Sequence, residues 1–379
     1  MSQASTEGEA KKLLKDWYDR RLVRDLGARF RGLHPQFPTE RFERQAGRDL
    51  ESLEMMDRVR QIADAMLACL PGPTEQNMRI LVASMDAPLP PDDSGQGMVA
   101  TGFHLWPYGE FIARSGLDDW DASWNAMLEL TQRLTSEFAI RPFLAADLDE
   151  SLQRLRPFLG HPSHHVRRWV SEGLRTRLPW ARAVPALKRA LPQRLEMLEA
   201  LKDDSSGYVR RSVANHLQDI LKDDTEAGLE VLERWAALKN PEVDWVVRHA
   251  ARGLLKAGHP RALALYGQDR AMQALRFETS SETVSPGQSV TLATALRNPH
   301  AETCEVRVDY LWEGPTPTGR RFSKVFRWTD LSLEPGSEAL LTRAHPFVER
   351  STRKLPPGDY RFSLLVNGSS LGSQSVRLE

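Results

Sequence analysis

Apolar residues recur at helical spacing through most of the first 270 positions. From Leu13 to Leu26, and again from Leu53 to Met66, apolar side chains return every three or four residues. This spacing gives a helix one apolar face that can be buried. Proline-containing stretches such as Pro71-Gly-Pro-Thr separate the runs. The pattern predicts a series of amphipathic helices with short connections.

From Leu144 onward the helical pattern repeats itself. A polar turn followed by a helix with a Val-x-Arg core occurs around Val166, Val209 and Val246, at spacings of 43 and 37 residues. Such spacings are typical of two-helix HEAT or armadillo repeats. Because one repeat cannot bury its apolar face alone, we expect neighbouring repeats to stack into a solenoid with a concave surface.

Three arginines hold equivalent positions in these repeats: Arg168, Arg211 and Arg248. Stacking is expected to carry them along the concave surface as a ladder. An arginine in a repeat can also be structural and pair with an acid of the neighbouring repeat. Three in register favour a binding role.

Short alternating runs replace the helical pattern after about Gln273. They extend over Ser289–Leu296, Cys304–Trp312, Arg321–Trp328, Ala339–Thr342 and Tyr360–Val366, with turn signals such as Glu334-Pro-Gly-Ser between them. Regular short strands predict a sandwich of immunoglobulin type. The prediction is therefore a mainly α protein: a disordered tail (1–12), a HEAT-like helical-repeat solenoid (13–273) and an all-β immunoglobulin-like sandwich (274–379).

The composition is that of an ordinary soluble globular protein. The 379 residues are 41% hydrophobic and 27% charged. No apolar run approaches the roughly 18 residues of a membrane span, and no secretory signal opens the chain. Cys69 and Cys304 fall in different predicted domains, so we expect no structural disulfide. These features predict a cytoplasmic protein that does not bind membranes.

Basic residues are concentrated in one stretch although the net charge is zero. Between Ser151 and Arg194 there are ten Lys and Arg residues, and Glu172 is the one acid. Clustering of this kind builds a local positive field that suits a polyanion. A solvated helix face is the alternative, but such faces normally mix the two signs.

Three sequence blocks each combine an arginine with a carboxylate. The pairs are Arg141 with Glu137, Arg168 with Glu172, and Arg211 with Asp219. In the last two pairs the acid follows the arginine by four and by eight residues, so we expect each pair to share one helix face. A row of cations with a few acids among them suits a polyanion that carries a localised positive charge.

The motifs of several common enzyme sites are missing. The sequence has no GxGxxG, Walker A, CxxC, HExxH or GxSxG motif. His161, His164 and His165 are clustered, but Pro162 and the lack of a nearby Cys or paired acids argue against a metal site. No cofactor and no metal are expected. For a helical-repeat protein without such motifs, the usual interpretation is a solenoid that only binds a partner.

Two features favour an enzyme instead. Glu137, Glu172 and Asp219 on a basic surface would weaken phosphate binding. A surface that only binds phosphate gains nothing evident from them, whereas a catalytic site can use carboxylates. In addition, the runs Phe111–Asp121, Thr135–Phe143 and Ser212–Asp219 resemble the AlkC family of HEAT-like alkylpurine DNA glycosylases, which is related to AlkD. The resemblance covers about Lys11 to Gln273, and some AlkC proteins also carry an immunoglobulin-like domain.

The resemblance implies excision of cationic alkylated bases, chiefly 3-methyladenine, from duplex DNA without deep base flipping. A base that already carries positive charge leaves without a general acid, and carboxylates stabilise the oxocarbenium-like sugar and position water. By resemblance the catalytic acids are Glu137, Glu172 and Asp219, with Asp219 and Glu172 expected nearest the ribose and the attacking water and Glu137 supporting them. His216 stands where a second Asn is expected, which leaves the surroundings of Asp219 open.

The implied partner is double-stranded DNA containing alkylated bases, bound by a monomer at the bacterial nucleoid. Expected DNA contacts are Arg141, Arg167, Arg168, Arg211, Arg248, Arg320, Arg321 and Lys324. The last three lie in a predicted hairpin loop, where cations also protect edge strands. Glu137 and Glu172 can alternatively be simple ion-pair partners of Arg141 and Arg168. The alternative function is a non-catalytic helical-repeat scaffold that binds nucleic acid or a partner protein.

Overall fold

The computed structural model describes residues 13–70, 72–90, 102–349 and 354–379. The predicted tail at 1–12 lies outside them. By their contacts these residues form two compact units. One holds the described residues up to Asp224 together with Pro241–Val246, and the other holds Thr225–Asn240 together with Val247–Glu379.

Helices make up the first part of the chain, as the apolar periodicity predicts. Within the described residues they are α1 (Arg20–Leu33), α2 (Thr39–Ala46), α3 (Met55–Cys69), α4 (Thr74–Ser84), α5 (Trp106–Ser115), α6 (Trp120–Thr131), α7 (Arg141–Ala146), α8 (Leu148–Leu155), α9 (His164–Gly173), α10 (Ala186–Arg189), α11 (Leu191–Leu201), α12 (Gly207–Asp223), α13 (Thr225–Ala236), α14 (Pro241–Lys256) and α15 (Pro260–Ala264). None of these helices is long and apolar enough to span a membrane.

The pair α9 and α12 forms the centre of the first unit. The two helices pack against each other, and α11 contacts both. Val166, Trp169 and Val170 on α9 are buried, as are Val209 and Val213 on α12. Because the apolar residues of both helices are directed into the same core, the polar residues at its edge also come close together.

Two sheets form the sandwich of the second unit. Their strands are β1 (Gln273–Thr279), β2 (Thr283–Val284), β3 (Ser289–Arg297), β4 (Cys304–Pro315), β5 (Arg321–Leu333), β6 (Glu338–Pro346), β7 (Gly358–Val366) and β8 (Ser369–Leu378). One sheet has the order β1-β3-β6 and the other β2-β8-β7-β4-β5. The hairpin between β4 and β5 pairs Pro315 with Arg321, so its turn is limited to residues 316–320. The predicted loop is therefore shorter than expected: Arg320 lies in the turn, whereas Arg321 and Lys324 lie on β5.

Aromatic side chains fill the core of the sandwich. The Trp312 ring stacks on Tyr360 at 5.7 Å and on Phe362 at 6.4 Å, and all three side chains are completely buried. Cys69 and Cys304 are buried free thiols, so no disulfide links these two. The predicted fold class, helical repeats followed by an immunoglobulin-like sandwich, is confirmed. The extents given above for the two domains remain predictions.

Candidate active site

A cleft of about 290 Å³ lies in the first unit, beside α9. One side is apolar and the other is polar and charged. The apolar lining is Phe103, Trp106, Leu134, Phe138, Leu178, Pro179 and Trp180, and the polar lining is Thr135, Glu137, Arg168, Glu172 and Arg175. The cleft therefore combines aromatic surface with two carboxylates and two guanidinium groups.

Glu137 presents a carboxylate oxygen to this cleft. It lies in the turn between α6 and α7, and its side chain is almost completely buried. Oε2 accepts hydrogen bonds from Thr135 Oγ1 at 2.6 Å and from Arg168 Nη1 at 2.8 Å. Oε1 has no hydrogen-bond partner among the described residues, so it remains able to accept a proton or a hydrogen bond.

The pKa of Glu137 is raised, because burial disfavours the charged carboxylate more than Arg168 stabilises it. The neighbouring carboxylate of Glu172 acts in the same direction. A carboxylate with a raised pKa is a better proton acceptor than an ordinary surface glutamate.

Arg168 is held between the two carboxylates. Besides its bond to Glu137, its Nη2 lies 3.7 Å from Glu172 Oε1, and its guanidinium carbon lies 4.9 Å above the ring of Tyr208. Burial alone lowers the pKa of this guanidinium, but Glu137, Tyr208 and Glu172 together raise it above its ordinary value. Arg168 is therefore a permanently charged part of the site.

Arg175 connects the other two predicted acids. Its Nη1 donates to Glu172 Oε1 at 2.6 Å, while Nε and Nη2 donate to Asp219 Oδ2 and Oδ1 at 2.9 and 3.3 Å. Glu172 Oε2 also accepts a bond from Ser212 Oγ at 2.6 Å. Burial raises the pKa of Glu172, but Arg168 and Arg175 outweigh it and lower the pKa below its usual range.

Asp219 lies behind the cleft and does not line it. Its side chain is 2% exposed, and Oδ2 also accepts a bond from the backbone N–H of Arg177 at 3.3 Å. Both oxygens are thus engaged by protein donors. Glu137 and Glu172 line the cleft, whereas Asp219 reaches it through Arg175. The expectation that Asp219 is among the acids nearest the ribose remains a prediction.

The ion pairs differ from those expected within each sequence block. Glu137 pairs with Arg168 rather than Arg141, and Asp219 pairs with Arg175 rather than Arg211. Arg211 is exposed although Asp219 on the same helix is buried. Eight residues turn a helix by about 80° beyond two full turns, so these two positions do not share a face.

The remaining predicted DNA contacts lie in different environments. Arg141 is 2% exposed, and its guanidinium donates only to backbone carbonyls, so it lies in the interior and not on a surface. Arg167 is engaged by Asp204 through two bonds of 2.6 and 2.9 Å. Arg248, in the second unit, lies 4.2 Å from the Tyr266 ring and 3.4 Å from Asp330 Oδ2.

The expected ladder of equivalent arginines is thus not uniform. Arg168 lies in the site with 14% of its side chain exposed, Arg211 is exposed without an ion pair among the described residues, and Arg248 is half-exposed on an aromatic ring. On the β4–β5 hairpin, Arg320 in the turn and Arg321 and Lys324 on β5 are all exposed. These three and Arg211 are the predicted DNA contacts that remain accessible with no carboxylate partner in the described part of the chain.

Aromatic residues of the site were missed in the sequence. Trp106 stacks on Phe138 at 5.1 Å and lies 6.1 Å from Trp180, whose side chain is 72% exposed. Trp180 has φ +64° and follows Pro179 in a turn closed by the bond from Ala181 N to Leu178 O. Proline in Leu-Pro-Trp signals a turn, but the sequence gives no signal for the left-handed third residue, which is usually glycine or asparagine.

Two of the three clustered histidines are in ring contact. His164 and His165 lie 4.1 Å apart on α9 with their rings edge-on to Tyr208. Across the described ranges, no group of three or more His, Cys, Asp or Glu side chains is placed to hold a metal ion.

Comparison with known proteins identifies relatives over nearly the whole chain. A family model described as the C-terminal Ig-like domain of the uncharacterised protein YhaZ matches residues 273–379. YhaZ of Bacillus subtilis (strain 168) is 32% identical over 358 residues, which cover 94% of this chain and 96% of YhaZ.

A solved structure matches over the same extent. Pseudomonas fluorescens alkylpurine DNA glycosylase AlkC, bound to DNA containing an abasic-site analogue, has a TM-score of 0.86 and 30% sequence identity. The match covers 97% of this chain and 100% of AlkC.

Proposed function

Because the chain belongs to the family of YhaZ and AlkC, we propose that it is a DNA glycosylase that excises cationic alkylated bases of the 3-methyladenine class from duplex DNA. We further propose that it acts as a monomer in the bacterial cytoplasm. The observation that carries the reaction is the free oxygen of Glu137, placed in an aromatic cleft beside the paired carboxylate of Glu172.

The charges of the cleft suit a cationic transition state. A base alkylated on a ring nitrogen leaves as a neutral molecule, so its departure needs no protein acid. The positive charge then passes to the deoxyribose, as in glycoside hydrolysis. Glu137 and Glu172, whose side chains are 9% and 7% exposed, stabilise that charge, because an electrostatic interaction at a buried carboxylate is stronger than in solution.

We propose a different role for each of the three acids, based on their contacts. Glu137 Oε1 is the acceptor for the proton of the attacking water, and the raised pKa of this carboxyl supports that role. Glu172 supplies fixed negative charge, held by Arg175 and Ser212. Asp219 orients Arg175 from behind and is a positioning residue in this scheme.

We propose that excision proceeds without deep base flipping, as the resemblance to AlkC implies. The cleft of about 290 Å³ includes the exposed residue Trp180 in its lining. In this mechanism the enzyme distinguishes damaged from normal bases by the weak glycosidic bond of a cationic base. It does not depend on a pocket that recognises the base by its shape and hydrogen bonds.

We propose that the accessible cations contact the phosphates. They are Arg211, Arg248, Arg320, Arg321 and Lys324. Arg141, Arg167 and Arg168 are left out because protein groups engage their donors. Phosphate contacts position a protein on DNA without reading its sequence, which suits an enzyme that searches for rare damage.

The test is release of 3-methyladenine from methylated duplex DNA under single-turnover conditions. We expect Glu137→Gln to slow release by at least about 100-fold, since a positioned proton acceptor contributes roughly 10²–10⁴ to a rate. Glu172→Gln and Asp219→Asn should also slow it. DNA affinity should persist in all three, and Glu230→Gln, an exposed glutamate, should behave as wild type.

The outcomes separate the two candidate functions. Wild-type release above the spontaneous rate, lost in the variants, supports the glycosylase. If the folded protein binds DNA with an affinity that falls steeply as salt rises, but releases no base, the non-catalytic scaffold is supported instead.

A further inference from the structure

Residues 174–183, named here the Trp180 loop, join α9 to α10 and supply Leu178, Pro179 and Trp180 to the cleft. Left-handed backbone is uncommon for a residue other than glycine, and a bulky side chain makes it rarer. Such a conformation persists only where its surroundings enforce it. The question is which groups enforce it here.

We propose that Arg141 and Asp223 are positioning residues that fasten the Trp180 loop and so fix Trp180 at the mouth of the cleft. The inference deepens the proposed glycosylase function and rests on it for its effect on catalysis. Neither residue lines the cleft, so each is expected to act through the loop.

Arg141 binds both ends of the loop with one guanidinium. Its Nη1 donates to the carbonyls of Gly173 and Arg175, and its Nε donates to the carbonyl of Arg182, each at 3.0 Å. Burial lowers the pKa of Arg141 to about 10. Every hydrogen bond of this buried guanidinium goes to a backbone carbonyl. Arg141 is therefore suited to hold these segments of backbone in place. A planar fork can bridge separate strands of chain, which a single ammonium group cannot do equally well.

Asp223 binds the middle of the loop from α12. Oδ2 accepts from Thr176 Oγ1 at 2.6 Å, and Oδ1 accepts from Arg177 Nε and Nη2 at 3.1 and 2.8 Å. The Asp223 side chain is 10% exposed, whereas the Arg177 side chain that it binds is 48% exposed. The bond from Thr176 is therefore the better shielded of the two contacts. The backbone N–H of Arg177 also reaches Asp219 Oδ2, which ties the loop to the acid network.

The anchors leave the tip of the loop between two fixed points. From Arg177 to Arg182 the chain turns back through Leu178–Ala181, and Trp180 projects from this turn against Trp106. With both ends held, the turn has few alternatives to the strained conformation. Loosening either anchor should let Trp180 relax away from the cleft.

Hydrogen exchange of the full-length protein tests the anchoring without reference to activity. We expect Arg141→Lys and Asp223→Asn to speed amide exchange in residues 174–183 at least about tenfold, with α3 and the sandwich strands unchanged. Arg182→Ala is the matched control, because only the backbone carbonyl of Arg182 takes part. Unchanged exchange in the loop of both variants would overturn the proposal.

A double-mutant cycle tests the route to catalysis. Arg141→Lys should slow single-turnover base release by about tenfold or more, as small misplacements near a reacting centre do. In a Trp180→Ala background it should have no further effect, because the group through which it acts is gone. Additive losses would show that Arg141 acts elsewhere and would overturn its positioning role.

Two safeguards keep the outcomes distinct. If Arg141→Lys does not fold, the double-mutant cycle with Trp180→Ala can be repeated with Asp223→Asn, which lies nearer the surface. If wild-type protein releases no base, the proposed function fails, while the exchange experiment still decides whether these residues anchor the loop.

Discussion

Trp180 has a left-handed backbone at the third position of a turn where glycine is usual. The conformation costs a residue with a side chain roughly 1–2 kcal/mol. Little burial offsets this, because the indole is largely exposed. The presence of tryptophan at this position is therefore explained by its contribution to the cleft and not by a contribution to the stability of the fold.

Replacing this tryptophan should separate stability from activity. We expect Trp180→Gly to leave the free energy of unfolding within about 1 kcal/mol of wild type, since relief of strain offsets the greater freedom of the unfolded chain. Base release should fall at least about tenfold. Urea unfolding and the release assay measure the two, with Trp169→Ala, a completely buried site, expected to lose about 3–5 kcal/mol.

His216 gives the protein a second testable property. It is completely buried on α12, and its Nε2 accepts bonds from Arg194 Nε and Nη2 at 3.0 and 2.9 Å. Burial, and then Arg194 and Arg175, lower its pKa well below the ordinary value. The imidazole is thus neutral in the folded protein over the physiological range.

This lowered pKa makes stability depend on pH. The contribution is fully present above the unfolded pKa of about 6.5 and is lost as pH falls below it, because only the unfolded chain then takes up the proton. We expect the free energy of unfolding of the wild type to fall between pH 7 and pH 5 by more than that of His216→Asn. Equal slopes for the two proteins would refute the assignment.

At this scale the sequence was informative about residue types and not about partners. The resemblance named Glu137, Glu172 and Asp219, and the structure brings them into one network. It did not reveal Arg175, because that residue reaches Asp219 across 44 positions of chain. The position of Arg141 in a sequence block suggested a surface residue that contacts DNA. In the structure it lies in the interior, where it packs beneath a loop.

Among the elements, periodicity predicted the helices and the strands β3 to β7. It missed β1, β2 and β8, which carry little apolar alternation. The β8 sequence, Ser-Ser-Leu-Gly-Ser-Gln-Ser-Val-Arg-Leu, is rich in small polar residues and is a strand because it pairs with β7. Strand formation depends on such neighbours more than on intrinsic preference.

One close contact in the second unit depends on two glycines. Gly258, with φ +71°, follows α14, and Gly368, with φ +78°, lies in the turn between β7 and β8. A Cβ on Gly258 would lie 2.8 Å from the Gly368 Cα, which is backbone and cannot turn aside. The helical end and the hairpin therefore pack at a distance that only glycine permits.

Gly258→Ala should destabilise the second unit more than left-handed strain alone explains. Gly336→Ala is the control, because φ is +69° there and the new methyl group would meet open space. We expect the control to lose about 1–2 kcal/mol and Gly258→Ala to lose at least about 1 kcal/mol more, as overpacking does. Thermal unfolding of the two variants measures the difference, and equal losses would argue against the contact.

For the molecule as a whole, zero net charge does not preclude polyanion binding, since its accessible cations are grouped. Arg320, Arg321 and Lys324 occupy one hairpin. Neutralising all three to Gln should reduce the slope of log K against log salt by up to about 2.7, at roughly 0.9 for each phosphate contact. A control with Arg297→Gln and Arg377→Gln, both exposed on other strands, should keep the wild-type slope.

The same hairpin cations matter even where DNA is absent. β5 is the edge of the five-stranded sheet, and an edge strand offers unpaired backbone groups to any similar strand it meets. Arg321 and Lys324 stand on that edge, and β6 at the edge of the other sheet exposes Leu340. We expect charge repulsion along β5 to oppose edge-to-edge pairing of two copies of the protein. The neutralised hairpin should consequently scatter light at concentrations where the wild type stays clear.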